Sequence, residues 1–251
     1  MPTEEAIAQC REWLERVVDV DCRAGVYDEA NILEALEEII EVELGEPFPA
    51  LFEEFAARVK VGLEARAREE ATWGDRTIND RLDSAFDDLD ARGIVTAQAL
   101  GSTLQEGAEL IDAMSGDREA RGSAFYHRQD LERALEGGGL RLAFTAYGDE
   151  AGGGEAIGRE IVHVLKHHGV PVSWGGDVRS RIEIEPFEWR KRRATKAPPG
   201  GTAAPPVLPP APPPRPAVCE ICKGRGWIQT DPTRFPDICV CKGGKPSAGG
   251  R

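Results

Sequence analysis

Ten prolines within the 22 residues 197–218 divide this chain more firmly than any other feature of it. Proline fixes φ at about −65° and has no N–H to give, so such a stretch can join the interior of neither a helix nor a sheet. The spacing predicts an extended linker, reaching roughly 68 Å at ~3.1 Å per residue if fully polyproline II. Pro206-Val-Leu-Pro209 also fits P-x-x-P, a pattern this composition produces by chance. The residues before 197 are expected to fold without those beyond 218, because the linker is too polar and proline-rich to pack against them.

Charge divides the chain at nearly the same point. The 251 residues carry a formal net charge of −13. Residues 1–189 hold 41 acidic and 19 basic side chains, whereas 12 Lys/Arg stand against 3 Asp/Glu from Arg190 onward. An acidic body of that size repels phosphate backbones, so nucleic-acid contact is expected only from the basic tail, through Arg190–Arg193, Lys196, Lys223, Arg225, Lys242 and Lys245. The tail offers few stacking aromatics for that role, Trp227 and Phe235. No apolar run approaches the ~18 residues that cross a bilayer. The opening Met1-Pro-Thr-Glu-Glu lacks the basic and apolar regions of a secretory signal, which predicts a cytoplasmic protein with no membrane contact.

Before the linker the hydrophobic period changes once. Residues 1–92 read as helices. Ala6, Ile7, Cys10, Trp13, Leu14, Val17 and Val18 repeat at spacings of three and four, as do Ile32, Leu33, Leu36, Ile39 and Ile40. Pro47 and Pro49 break the chain before a third stripe of Leu51, Phe52, Phe55, Val59 and Leu63. Thr77 and Asp80 resemble a capping box for a fourth helix bearing Leu82, Ala85, Phe86 and Leu89, with Gly93 as its stop. Residues 93–196 read as mixed α/β, packed with 1–92 into one body. Ala124–His127, Leu140–Tyr147, Val170–Trp174 and Arg181–Phe187 are the expected strands. A helix over Glu155–His168 would make a parallel crossover from the second strand to the third, and the last two strands suit a hairpin. The expected fold class is α+β: a helical N-terminal region, a small mixed four-stranded sheet with helices, the linker, and a C-terminal knuckle over 219–251.

That knuckle rests on Cys219-Glu-Ile-Cys222-Lys-Gly224-Arg-Gly226 and, twelve residues on, Cys239-Val-Cys241-Lys-Gly243-Gly244. Four thiolates form a closed tetrahedral set for one structural Zn²⁺ and leave no open position for a substrate. These residues resemble the C-x-x-C-x-G-x-G repeat of the cysteine-rich region of DnaJ-type chaperones. The first half matches throughout. The second has one residue between its cysteines where the repeat has two, which makes Asp237 an alternative ligand. Over fewer than 30 residues, the resemblance implies a zinc fold and no chaperone activity.

A second resemblance runs from about residue 77 to 193. Thr77-Ile-Asn-Asp-Arg-Leu-Asp-Ser-Ala-Phe86, Phe125-Tyr-His-Arg-Gln-Asp130, Val172-Ser-Trp174-Gly-Gly176 and Trp189-Arg-Lys-Arg-Arg193 are similar, in that order, to an uncharacterised family of bacterial proteins known only as a domain of unknown function. Members of that family often carry cysteines soon after the Gly-Ile-Val segment. Thr96–Glu106 has none here, so no metal role is implied there.

Within this region Tyr126, His127, Gln129 and Asp130 sit where a strand turns into a helix, the kind of junction where α/β proteins place ligands. With Trp174 they are the candidate ligand-binding residues. His127 and Asp130 could orient a proton for general acid–base chemistry, yet no nucleophile pattern accompanies them. Equally, Asp130 could simply cap the helix. Gly152-Gly153-Gly154 lacks the Lys-Ser/Thr of a phosphate loop, and no glutamate follows His163 to make a zinc-protease pair with His167. The expectation is a non-enzymatic modular protein whose body binds a partner, a protein in the first instance, or a small ligand. The alternatives are an enzyme of unknown reaction acting at His127–Asp130, or nucleic-acid contact by the basic tail.

Overall fold

The computed structural model describes residues 2–116, 119–148 and 152–193, together with the backbone of 227–228 and 237–238. The proline-rich stretch and all four C-terminal cysteines lie outside the described residues. The chain divides into two compact units, residues 1–209 and 210–251.

Three helices come first: α1 (Glu4–Ala24), α2 (Glu29–Leu44) and α3 (Pro49–Glu70). Each begins where its sequence says it should. Thr3 and Asp28 accept the N–H groups of Ala6 and Asn31, and Pro49 opens α3 at a position whose missing N–H costs nothing. Their apolar stripes meet in one core, with Cys10, Leu14 and Val17 of α1 against Ile32, Leu36 and Ile39 of α2 and Leu51, Phe55 and Val59 of α3. The last turns of helix α1 serve two sides: Cys22 stays in the bundle core, and Val20 and Ala24 belong to a second core around the sheet. One continuous helix is thus shared by both layers.

The capping box appears as read: Asp80 N–H donates to Thr77 Oγ1 at 3.2 Å, and Thr77 N–H to Asp80 Oδ2 at 2.7 Å. It opens α4 (Ile78–Ala91), after which the chain alternates β1 (Ile94–Ala97), α5 (Leu104–Ser115), β2 (Gly122–Phe125), α6 (Arg128–Leu135), β3 (Leu140–Ala146), α7 (Gly153–His167), β4 (Val172–Ser173) and β5 (Ile182–Ile184). The sheet has five strands where the sequence predicts four, in the order β1-β2-β3-β5-β4. The added strand, β1, is short and pairs parallel with β2 at the edge. Asp90 closes its free side by accepting the N–H and the hydroxyl of Thr96 at 2.9 and 2.8 Å.

The hairpin of β4 and β5 forms, with Val172 opposite Ile184. β3 and β4 run parallel as predicted, but β5 lies between them, antiparallel to both. Ile94, Ala124, Leu142 and Ile182 face a core built with α4 and α7, including Leu82, Phe86 and Ile161. On the opposite face Val95 and Phe125 pack on Ile111 of α5.

Beyond β5 the chain returns across the body as a strap over residues 187–193. Trp189 Nε1–H donates to Ala24 O at 2.9 Å, and Arg66 donates to Lys191 O at 3.0 Å. Gly25, at φ +66°, ends α1 beneath this strap, and a Cβ there would come within 2.4 Å of Lys191 O.

Candidate functional site

The Phe125–Asp130 segment leaves the sheet two residues earlier than predicted. Tyr126 O accepts Leu100 N–H and Arg128 N–H donates to Gly101 O, both at 2.9 Å, so the backbone here bonds to the loop after β1 rather than to a strand. Tyr126 is fully buried. Its ring meets Trp189 edge-on with centroids 6.0 Å apart. Its hydroxyl donates to Gln98 at 2.9 Å, Gln98 donates to Asp83 at 2.8 Å, and Asp83 takes the Lys191 ammonium at 2.7 Å. Burial holds the Tyr126 phenol well above its ordinary range.

His127 caps α6 with extended backbone, and Asp130 reaches back to accept its N–H at 3.3 Å. The imidazole Nε2 lies 3.1 Å from Asp130 Oδ2, and their side chains are only 6% and 5% exposed. The same carboxylate oxygen receives the Arg181 guanidinium, which also donates to Arg141 O at 2.8 Å. Burial lowers the proton affinity of His127; Asp130 opposes that, while Arg181 and Arg133 reinforce it. The His127 Nδ1 is buried and meets no partner among the described residues.

Arg128, the next residue, reaches the other way. It pairs with Asp21 of α1 at 2.8 Å and with Glu132 at 3.2 Å. Asp21 is fully buried, and its carboxyl is pushed up to about 6 by burial, with Arg128 pulling against that shift. Of the segment's polar residues only Gln129 stands exposed.

Trp174 lies apart from His127 and is half-buried. Its ring packs edge-on against Phe144 at 5.5 Å and rests on Gly158 of α7, where a Cβ would come within 2.5 Å. Its Nε1–H serves both Asp177 O at 3.1 Å and Ser180 O at 3.3 Å, closing the β4–β5 loop. Arg181 joins the two groups: from its contact with Asp130 it also lines an open cleft of about 800 Å³ with Arg141, Ser173, Trp174, Arg179 and Glu183. His163 and His167 are exposed, and among the described residues no group of three or more His, Cys, Asp or Glu could hold a metal ion.

Comparison with protein families gives one result. The family model described as Domain of unknown function (DUF6891) matches residues 7–193. The chain belongs to this family. The match runs from the first turn of α1 to the end of the strap, so the DUF6891 domain comprises the helical bundle as well as the sheet that carries the sequence resemblance. No curated protein and no solved structure matches the chain.

The residues that organise this site include four that sequence patterns did not single out: Asp21, Arg128, Arg141 and Arg181. Arg128 carries a local signal, since a basic side chain in the first turn of a helix opposes the dipole and implies a compensating partner. Arg181 carries none, because its partner lies 51 residues away in the chain.

Proposed function

We propose that the protein is a modular binding protein without a reaction of its own, joining its DUF6891 body to a zinc-holding knuckle through the proline-rich linker. The observation that carries this reading is how the Phe125–Asp130 polar groups are used. Tyr126 bonds to Gln98, His127 to Asp130, Arg128 to Asp21, and Asp130 to Arg181, so those groups join parts of the body and offer little to a substrate. A general base needs hydrogen-bond reach to the proton it removes, and a side chain this deeply buried lacks it.

The C-terminal unit supplies the second contact. Its described backbone is a two-stranded antiparallel ladder, β6 (Trp227–Ile228) and β7 (Asp237–Ile238), with Trp227 opposite Ile238. In the sequence Cys222 precedes Trp227 by five residues and Cys239 follows Ile238 directly. The C-x-x-C and C-x-C spacing supports one structural Zn²⁺ held by Cys219, Cys222, Cys239 and Cys241. A tether between two modest contacts raises the effective concentration of the second once the first has formed. We assign the partner to the protein class, because Lys191, Arg192 and Arg193 of the basic strap pair with Asp83, Asp80 and Glu70 and are not free for a phosphate backbone. Cys10 and Cys22, both free buried thiols, accord with a reducing cytoplasmic setting.

Metal analysis tests the knuckle. Full-length protein should carry one zinc per chain, and Cys222→Ser together with Cys239→Ser should remove it while the body melts unchanged. Zinc retained by that double variant would place the ion elsewhere. For the binding role, the same variant should weaken retention of a captured partner without abolishing it, since the body contact remains.

A further inference from the structure

Helix α5 packs on β1 and β2 and covers only that end of its sheet face. At the β3–β5–β4 end, the same face presents a cross-strand row of Arg141, Glu183 and Ser173, all exposed. The β4–β5 loop, held shut by the Trp174 indole, borders this row and makes it the floor of the cleft of about 800 Å³.

Arginine is concentrated in this cleft of an acidic molecule, and each arginine faces one carboxylate: Arg141 meets Glu183, Arg179 meets Asp177 and Arg181 meets Asp130. Residues 1–189 carry 41 acidic and 19 basic side chains, yet three arginines and one glutamate line the cleft. Their present partners differ in kind. Arg141 meets Glu183 at 3.2 Å with both side chains about half exposed, and Arg179 meets Asp177 at 3.2 Å while 88% exposed. Pairs so open to water contribute little and exchange readily for a better acceptor. Arg181 is built in: the buried Asp130 carboxylate and Arg141 O fix its fork from behind. Ser173 and Ser180, also in the lining, add hydroxyl donors.

We infer that this cleft binds a small oxyanion-bearing ligand, its phosphate or carboxylate group gripped by Arg141 and Arg179 above the fixed guanidinium of Arg181. Planar guanidinium forks match such groups with paired hydrogen bonds, and they compete well with water where a wall excludes solvent on one side. Glu183 is the internal competitor, holding Arg141 in the absence of the ligand. Asp130 is a positioning residue, acting only through Arg181.

Calorimetric titration of full-length protein with inorganic phosphate, pyrophosphate and succinate, each at constant ionic strength, tests the inference. At least one should bind saturably, and the one preferred separates a phosphoryl from a carboxylate ligand. Arg141→Gln should weaken it roughly tenfold, the loss of one charge-assisted contact. Glu183→Gln should strengthen it several-fold by removing the competitor. Both positions are exposed, and thermal melts of the variants should match the parent. Absence of saturable binding by all three probes would overturn the inference, as would affinity indifferent to both substitutions. Neither failure would bear on the zinc knuckle, which lies in the other unit.

Discussion

At the residue scale the body is held by two buried charge pairs that leave nearby positions in opposite directions. The capping-box bond from His127 N–H to Asp130 would by itself be worth about 1 kcal/mol. Asp130 also neutralises Arg181 and bonds to the His127 imidazole, so removing it strands a partly buried guanidinium. Asp130→Ala should therefore cost about 3 kcal/mol in urea denaturation, well above a capping loss. Asp21 predicts a pH effect. Its folded carboxyl titrates at about 6 against an ordinary value of 3.8, so the native state holds the proton more tightly than the unfolded chain. The stability this contributes is complete below 3.8 and is lost as pH rises through about 6. Measured against Asp21→Asn, the parent should gain on the order of 2 kcal/mol between pH 7 and pH 4. His127 works in the reverse sense, since its lowered affinity gives stability that is present above 6.5 and lost as pH falls. The Asp21→Asn comparison separates the two because His127 is common to both proteins.

At the scale of elements, the strap over 187–193 ties the end of α1 to α3 and α4. Trp189 bonds to Ala24 O, Arg190 N–H to Asn79, and Lys191 and Arg192 pair with Asp83 and Asp80 of α4. Gly25 tests that seam against a matched control. Gly25 and Gly45 both end helices at left-handed φ, +66° and +71°, but only Gly25 lies under backbone; a Cβ on Gly45 would meet nothing within 4 Å. Alanine at Gly45 should cost about 1 kcal/mol, the penalty of the conformation alone. At Gly25 the cost should be at least about 1 kcal/mol larger, because the strap must move. Equal urea midpoints for the two variants would show that the strap contact contributes nothing.

For the molecule as a whole, α1 contributes to both cores, so the bundle and the sheet should unfold together. A single cooperative transition by both near- and far-UV dichroism is expected, with Phe55→Ala in the bundle lowering the sheet's midpoint as well, by about 3–5 kcal/mol of stability. Truncation makes the same point from the other end. A chain ending at residue 196 keeps the strap and should melt like the full protein. One ending at 186 loses Trp189 from the ring of Tyr126 and should be several kilocalories less stable, about 3 kcal/mol from the indole alone.

Much of this protein is written locally. The four leading helices follow from stripes of period 3.6, the Thr77–Asp80 box marks a helix start without tertiary help, and the glycines around residue 175 announce the β4–β5 hairpin. β1 escaped because four residues at an edge carry too short a pattern to register, and α5 because Gly107 and its acidic neighbours interrupt its stripe. The sheet order was also out of reach: period and direction agree whether β4 lies beside β3 or beyond β5, and only the long-range pairing of β3 with β5 distinguishes them. The candidate site shows the same division. Phe125–Asp130 could be located from its residues, but whether His127 and Asp130 face solvent or are buried against Arg181 depends on a strand about fifty residues later. Local sequence determines which side chains can leave water, and only the tertiary structure determines which charges they meet when they do.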